Sequence, residues 1–212
     1  MIRILLADDH NLVRTGIKGL LERSADIRVV AEASDGLEAI SQFKAMRPDV
    51  VILDISMPNM DGLEAARYIL SIDRDAAILM LTMYPERQYA VRAVRAGALG
   101  YITKGMSTAE LDTAVRNVAL RRRFLSAEGI DALSTRLLTR GSDVGLVDSL
   151  SDRELQILRL IARGRKIKEI AEELGVRAKT VETYRSRLMN KLGLRRNAEI
   201  YRFAFENALL DG

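Results

Sequence analysis

The strongest constraint on the fold is a short run of four apolar residues that ends in an acidic one. Val50, Val51, Ile52 and Leu53 precede Asp54. Successive side chains of a strand point to opposite faces of a sheet, so a strand that is apolar at every position must be covered on both faces. Such strands lie at the centre of parallel sheets. We therefore predict that this run is the central strand of an α/β domain.

Apolar runs and helical periodicity alternate throughout residues 1–121. Five runs predict strands, and five amphipathic segments predict helices. This repeated order predicts a doubly wound (βα)5 parallel sheet. The predicted strands are Ile2-Ala7, Val29-Ala33, Val50-Asp54, Ile78-Met83 and Gly100-Thr103, and the predicted helices cover residues 12–23, 37–46, 62–71, 86–96 and 107–120.

The periodicity weakens after residue 121, and a second pattern begins near residue 148. We assign residues 122–147 to a linker in which residues 130–139 keep helical spacing. Ser151 and Glu154 then form a capping box that opens a helix. Residues 148–212 therefore predict a small all-α domain, with helices at about 151–163, 167–174, 178–192 and 196–209 and with Gly164, Gly175 and Gly193 as C-terminal stops.

Charge and composition limit the classes of partner. Residues 1–121 contain 15 Lys/Arg and 16 Asp/Glu, whereas residues 150–212 contain 14 and 9. The basic C-terminal part suits a polyanionic partner, although a solvated basic surface would give the same count. The absence of cysteine excludes disulfides and thiolate metal sites. No apolar run approaches the roughly 18 residues of a membrane span, and the N-terminus does not resemble a signal peptide, so we expect a cytoplasmic protein without a membrane partner.

Polar residues follow the predicted strands at their carboxyl ends, where parallel sheets bind ligands. Asp8 and Asp9 follow the first strand, Asp54 ends the third, Thr82 lies at the end of the fourth, and Lys104 follows the fifth. Three neighbouring carboxylates repel one another, and Mg²⁺ is the cation that suits such a cluster. A carboxylate there can accept a phosphoryl group while a lysine and a hydroxyl bind its oxygens. Any one of these residues could be an ordinary solvated group, but the five together predict a phosphoryl-accepting pocket.

These residues lie within stretches that resemble the receiver domain of two-component response regulators, a flavodoxin-like fold. The resemblance implies that Asp54 is the phosphoacceptor and that Asp8, Asp9, Asp54 and the backbone carbonyl of Ser56 bind Mg²⁺. It also implies a switch in which Thr82 moves toward the phosphoryl group and Tyr101 rotates inward. Gly105 departs from the family, because many receivers have proline after the lysine. The matching stretches are Leu6-Ala7-Asp8-Asp9-His10, Leu53-Asp54-Ile55-Ser56-Met57-Pro58-Asn59-Met60-Asp61-Gly62, Leu81-Thr82-Met83 and Gly97-Ala98-Leu99-Gly100-Tyr101-Ile102-Thr103-Lys104.

The predicted helix at residues 178–192 has one apolar and one polar face. Val181, Tyr184, Leu188 and Leu192 share the apolar face, which we expect to be buried. Short polar side chains lie opposite, with arginines on both flanks. This arrangement suits the major groove, where short side chains meet base edges and long cations meet phosphates. With the helix before it, the segment predicts a helix-turn-helix, although a solvated face on a helical bundle is the alternative.

Residues 148–210 resemble the LuxR-type DNA-binding domain of the NarL/FixJ family, at residues 150–154, 167–171 and 179–185. The resemblance implies base contacts from the recognition helix to double-stranded promoter DNA. It also implies a homodimer formed through the last helix, and control by a sensor histidine kinase that phosphorylates the receiver. The candidate DNA-binding residues are Lys179, Thr180, Glu182, Thr183, Arg185, Ser186, Arg187 and Lys191, with base contacts assigned to Glu182, Thr183 and Ser186 and phosphate contacts to Lys179, Arg185, Arg187 and Lys191. The candidate dimer-helix residues are Ile200, Phe203 and Ala204, which belong to an apolar stripe that could be either core or a dimer surface.

Three other functions are compatible with parts of this sequence. An aspartyl-phosphate phosphatase would need a second aspartate two residues after the nucleophile, where this chain has Ser56. A flavin-binding domain would place phosphate beside Asp8 and Asp9, which would repel it. A phosphorylation-independent transcription regulator of the same fold would not need an intact pocket. We expect a regulator rather than an enzyme, one that catalyses only its own phosphoryl transfer and slow dephosphorylation.

Overall fold

The computed structural model describes residues 1–84, 86–138, 146–147, 149–207 and 209–210, and the chain divides into two compact units, Met1–Leu138 and Thr139–Gly212. The first unit alternates strands and helices, as predicted. Its elements are β1 (Ile2–Ala7), α1 (Asn11–Leu21), β2 (Ile27–Ala33), α2 (Gly36–Met46), β3 (Val50–Leu53), α3 (Gly62–Ile72), β4 (Ile78–Thr82), α4 (Glu86–Arg95), β5 (Gly100–Thr103), α5 (Thr108–Ala119) and α6 (Ala127–Leu138).

The five strands form one parallel sheet in the order β2-β1-β3-β4-β5. The predicted central position of β3 is therefore confirmed. All four of its residues are fully buried, and they alternate between two cores. Val51 and Leu53 pack with α2, α3 and α4, whereas Val50 and Ile52 pack with α1 and α5. An apolar side chain at every position is thus required by a sheet that is covered on both faces.

The order of the strands reverses between β1 and β3. β2 pairs with one edge of β1, and β3 pairs with the other edge. The loops that follow the neighbouring strands β1 and β3 therefore diverge. A crevice opens at such a point, at the carboxyl ends of the strands. The fold therefore places Asp8 and Asp9, which follow β1, beside Asp54, which follows β3.

The chain after α5 returns along the edge strand β5. The backbone amide of Tyr101 donates to the carbonyl of Phe124 (3.0 Å), and the amide of Phe124 donates to the carbonyl of Leu99 (2.9 Å). The helix α6 follows and packs on α4. It lies in the first unit, although the sequence analysis assigned it to the linker. The boundary at residue 121 stays a prediction, and residues 139–145 of the predicted linker lie outside the described residues.

The second unit contains four helices among the residues described. They are α7 (Asp152–Ala162), α8 (Ile167–Glu173), α9 (Ala178–Leu192) and α10 (Asn197–Glu206). The capping box of Ser151 and Glu154 begins α7, as predicted. The predicted stops Gly164, Gly175 and Gly193 all have positive φ (79°, 62° and 67°), a conformation in which other residues are strained.

Candidate functional site

The acidic pocket lies at the carboxyl edge of the sheet. Asp8, Asp54 and Thr82 are almost completely buried, with relative exposures of 1%, 3% and 1%. Asp9 is exposed at the rim. Lys104 enters from the end of β5, and only 6% of its side chain is exposed. The structure therefore brings together the five pocket residues that the sequence predicted.

Lys104 joins the two buried carboxylates. Its ammonium lies 2.8 Å from Oδ2 of Asp8 and 2.9 Å from Oδ2 of Asp54. Its backbone amide donates to the carbonyl of Thr82 (2.8 Å), which anchors the start of the loop that carries it. Gly105 in place of proline therefore leaves the lysine in reach of the pocket.

The electrostatics of Asp54 follow from its burial. Burial raises the pKa of its carboxyl group above the usual value, while the positive charge of Lys104 acts to lower it. Burial acts to lower the pKa of Lys104, but the two carboxylates outweigh this effect and raise it. Oδ2 of Asp54 is held by the lysine, whereas Oδ1 has no hydrogen-bond partner among the described residues. A buried carboxylate oxygen without a partner is costly unless a ligand engages it.

The donor set of the pocket fits a hard divalent cation. Ligand atoms of Asp8, Asp9, His10 and Asp54 all lie within 4.8 Å of one another. Carboxylate oxygens are the ligands that Mg²⁺ prefers, and the unpartnered Oδ1 of Asp54 leaves one available. Nδ1 of His10 lies 2.8 Å from Oδ1 of Asp9. From its place after the acidic pair at a strand–helix junction, His10 was expected to be a loop residue rather than part of the pocket.

Thr82 and Tyr101, the predicted switch residues, are both buried. The hydroxyl of Tyr101 points inward and donates to the carbonyl of Tyr84 (2.9 Å) in the loop after β4. The ring of Tyr84 stacks on Tyr89 of α4, with ring centroids 4.6 Å apart. Tyr84 was not predicted, and the available signal was an aromatic residue two positions after Thr82. The loop that begins at Thr82 is therefore coupled both to β5 and to α4.

The helix α9 presents the predicted polar face. Val181 and Leu188 are fully buried and Leu192 nearly so, while Tyr184 is half-buried. The side chains predicted to meet DNA are mostly exposed: Lys179, Glu182, Thr183, Ser186 and Arg187. Thr180 and Arg185 are half-buried, and Arg185 is held by the side chain of Asn197 (2.9 Å). A row of exposed short side chains flanked by cations is available to a groove.

Lys191, a predicted phosphate contact, is already paired inside the protein. Its ammonium lies 2.7 Å from Oε2 of Glu154, a carboxylate whose side chain is only 3% exposed, and 3.1 Å from the carbonyl of Ser149. A buried carboxylate requires a cation, so Lys191 has a structural role here. It joins the end of α9 to the start of α7, while 40% of its side chain is exposed, and its contact with DNA phosphate stays a prediction.

The predicted dimer residues need a correction. Ile200 and Ala204 have no exposed surface, because they pack in the core of their own unit, and Phe203 is partly buried against it. Ile200 and Ala204 therefore cannot contact a second copy of the chain while the domain is folded, whereas Phe203 keeps part of its surface exposed. The exposed aromatic side chains of α10 are Tyr201 (56%) and Phe205 (69%), which are one helical turn apart.

Comparisons with known proteins match this architecture. The receiver domain of response regulators matches residues 4–116, and the luxR family of bacterial regulatory proteins matches residues 148–204. The chain is 38% identical to response regulator UvrY of Escherichia coli K12 over 209 residues, 99% of this chain and 96% of that protein. It is 35% identical to response regulator GacA of Pseudomonas aeruginosa, over 100% of this chain and 99% of that one. The chain belongs to the NarL/FixJ family of two-component response regulators, which are DNA-binding regulators of transcription.

Solved structures agree. A LuxR-family response regulator from Aurantimonas sp. SI85-9A1 shares 38% identity with a TM-score of 0.61, covering 65% of this chain and 99% of that one. RcsB of Salmonella enterica serovar Typhimurium, bound to promoter rprA in the presence of the phosphomimetic BeF3-, shares 25% identity with a TM-score of 0.59, covering 95% and 97%. Among the described residues, no helix has both the length and the apolar character that crossing a membrane requires.

Proposed function

We propose that this response regulator accepts a phosphoryl group on Asp54 from a sensor histidine kinase, and that phosphorylation promotes dimerisation and binding to promoter DNA. The observation that carries the proposal is the state of Asp54. It is buried, Lys104 donates to one of its oxygens, and the other oxygen has no hydrogen-bond partner among the described residues. A purely structural aspartate would have both oxygens satisfied.

The residues of the pocket suit acyl phosphate formation. One carboxylate oxygen of Asp54 attacks the phosphorus, which leaves the other for the metal, and the bond from phosphorus to the donor breaks as the donor leaves with its electron pair. Lys104, which is already 2.9 Å from Asp54, stabilises the negative charge on the phosphoryl oxygens, and the hydroxyl of Thr82 donates to another. Asp8, Asp9, Asp54 and the Ser56 carbonyl would hold Mg²⁺, which when bound neutralises the charge that builds up between carboxylates and phosphate.

A series of contacts connects the pocket with the first part of the predicted linker. Movement of Thr82 toward the phosphoryl group would shift Tyr84, whose carbonyl accepts a hydrogen bond from the Tyr101 hydroxyl. The helix α4 follows this loop, and Oε1 of Glu86 accepts a hydrogen bond from the amide of Ser126 (2.9 Å) just before α6. Gly129 approaches the same carboxylate so closely that a Cβ would collide with it. We infer that α6 follows movements of α4.

The DNA-binding surface is the exposed face of α9. Glu182, Thr183 and Ser186 are assigned to base edges, and Lys179, Arg185 and Arg187 to phosphates. Thr180, near the start of the helix, is assigned to the same surface. A DNA partner places the protein in the cytoplasm. Dimerisation through Tyr201 and Phe205 of α10 would let two copies of α9 read a two-fold related site.

The deciding experiment is the intact mass of the protein after incubation with Mg²⁺ and a small acyl phosphate. The wild type should gain one phosphoryl group, Asp54→Asn should gain none, and the exposed Asp75→Asn should behave as the wild type. Gain of phosphate by Asp54→Asn would place the phosphoacceptor elsewhere. No gain by any protein, with the fold intact, would favour the phosphorylation-independent regulator.

The same protein samples test whether phosphorylation increases DNA binding. A duplex selected from a random pool by the phosphorylated protein should bind that form more tightly than the unphosphorylated one in an anisotropy titration. Equal affinities of the phosphorylated and unphosphorylated forms would mean that phosphorylation does not control DNA binding. This result would overturn the switching part of the proposal.

A further inference from the structure

The loop between β3 and α3, residues 56–61, is fixed from outside by the start of α2. It contains Ser56, whose backbone carbonyl is a proposed Mg²⁺ ligand together with the carboxylates of the pocket. Within the loop, the amide of Met60 donates to the carbonyl of Pro58 (2.6 Å). Two further hydrogen bonds come from the turn before α2: Gly36 donates its amide to the carbonyl of Met60 (3.1 Å), and Asp35 accepts from Asn59.

Asp35 uses its two oxygens for two different purposes. Oδ1 accepts from the amide of Glu38 (2.8 Å) and caps α2, whereas Oδ2 accepts from Nδ2 of Asn59 (2.7 Å). Hydrogen bonds from the Glu38 backbone and from Asn59 keep the pKa of Asp35 below its usual value. Capping requires only one oxygen. The second oxygen is therefore committed to a loop 24 residues away in sequence.

Asn59 and Gly36 are both adapted to this contact. Asn59 has φ of 61°, a left-handed conformation that asparagine tolerates better than most residues. Gly36 has no room for a side chain, because a Cβ there would lie 2.6 Å from the carbonyl oxygen of Met60. The start of α2 and the loop are thus in direct contact through backbone as well as side chains.

The loop is also attached to the phosphoacceptor. Asp54 leads into it, and at its far end Gly62 packs so closely on the carbonyl of Asp54 that a Cβ would overlap it. The amide of Gly62 donates to the carbonyl of Ile55 (2.9 Å). Both ends of the loop are therefore fixed next to the pocket, and the contact with Asp35 restrains its middle.

We propose that Asp35 and Asn59 form a brace that positions the β3–α3 loop, so that the Ser56 carbonyl is preorganised to bind Mg²⁺. This inference rests on the proposed function, since it concerns the same metal site. Asp35 is a positioning residue and touches neither metal nor phosphate. A loop that is ordered before binding does not have to be ordered by the cation, so the brace contributes to metal affinity.

The test is a double-mutant cycle on Mg²⁺ affinity, measured by calorimetry on the full-length, unphosphorylated protein. Asn59→Gly removes the amide but keeps the left-handed backbone accessible. Asp35→Ser keeps a capping side chain but cannot reach Asn59 as well. Each variant should raise the dissociation constant for Mg²⁺ about fivefold, as expected for one hydrogen bond. The double variant should be little worse than either single variant.

A merely structural role is distinguished by a second readout. At saturating Mg²⁺ the brace variants should be phosphorylated by acyl phosphate at close to the wild-type rate, and their melting temperatures without Mg²⁺ should be similar to each other. An unchanged Mg²⁺ affinity in Asn59→Gly, or strictly additive losses in the double variant, would overturn the brace. Failure of the wild type to bind Mg²⁺ at all would instead overturn the proposed function.

Discussion

The phosphoryl pocket and the DNA-binding face use polar residues in opposite ways. In the pocket, Asp54, Thr82 and Lys104 come from three different strand ends, are almost fully buried and interact with one another. On α9, the residues assigned to DNA come from one helix, are mostly exposed and point away from the protein. The first site is made by tertiary structure, whereas the second is made by the period of a single helix.

This difference predicts how strongly substitutions affect each site. A buried charge has its partners inside the protein, so removing one partner leaves the other uncompensated. An exposed cation is solvated in the free protein and contributes to DNA binding only in small, separate steps. We therefore expect large effects in the pocket and small, graded effects on α9.

The largest effect should follow Lys104→Met. Loss of the only ammonium that contacts Asp54 in the described pocket should slow phosphorylation about 100-fold or more at saturating Mg²⁺, because the phosphoryl charge is no longer stabilised. The rate of mass gain with an acyl phosphate measures this. Lys44→Met changes an exposed lysine of α2 and serves as the control. A wild-type rate in a folded Lys104→Met protein would remove Lys104 from the chemistry.

The next effect separates the two faces of α10. Ile200→Ala should lower the free energy of unfolding of the DNA-binding domain by about 3 kcal/mol, because it opens a cavity in the core. Tyr201→Ser and Phe205→Ser should change stability by no more than about 0.5 kcal/mol, because both side chains are exposed. Denaturant unfolding gives these values.

The same exposed variants test dimerisation. Tyr201→Ser and Phe205→Ser should weaken self-association of the phosphorylated protein in sedimentation equilibrium. Glu206→Gln, exposed on the same helix, is the matched control. Normal dimerisation by both serine variants would mean that another surface pairs the two copies.

The smallest effect concerns single cations on and near the DNA-binding face. Arg187→Ala should reduce the slope of log K against log salt by about one, as expected for one phosphate contact. Lys191→Ala should leave the slope unchanged, because its ammonium is paired with Glu154. Anisotropy titrations over a range of salt concentrations, at a temperature where both variants are folded, measure both slopes. Equal losses of slope would show that Lys191 contacts a phosphate as well.

Much of this protein could be predicted from local sequence. The position of β3 at the centre of the sheet followed from four consecutive apolar residues, and the ends of α7, α8 and α9 followed from glycines that have positive φ. The five pocket residues followed from one rule, namely that parallel strands present their carboxyl ends at the same edge. These features depend on chain direction and side-chain period, which the sequence contains.

Other features depended on distance between segments that are remote in sequence. Ile200 and Phe203 belong to an apolar stripe that could equally have been core or dimer surface, and only the packing of α10 distinguished these uses. The pairing of Lys191 with Glu154, 37 residues earlier, has no signal in the local sequence. The hydrogen bond between Asp35 and Asn59 had no sequence signal beyond a capping residue and an asparagine.

The sequence by itself determined the class of fold and the polar face of α9, because both are specified by the period of the side chains along each element. It also indicated which residues would meet in the phosphoryl pocket, because parallel strands bring their carboxyl ends to one edge of the sheet. Only the tertiary structure decided which charges are paired, which apolar side chains remain exposed, and what holds the β3–α3 loop beside Asp54. These properties depend on which elements meet. A side chain that is buried against a segment remote in sequence is no longer hydrated and is not accessible to another partner.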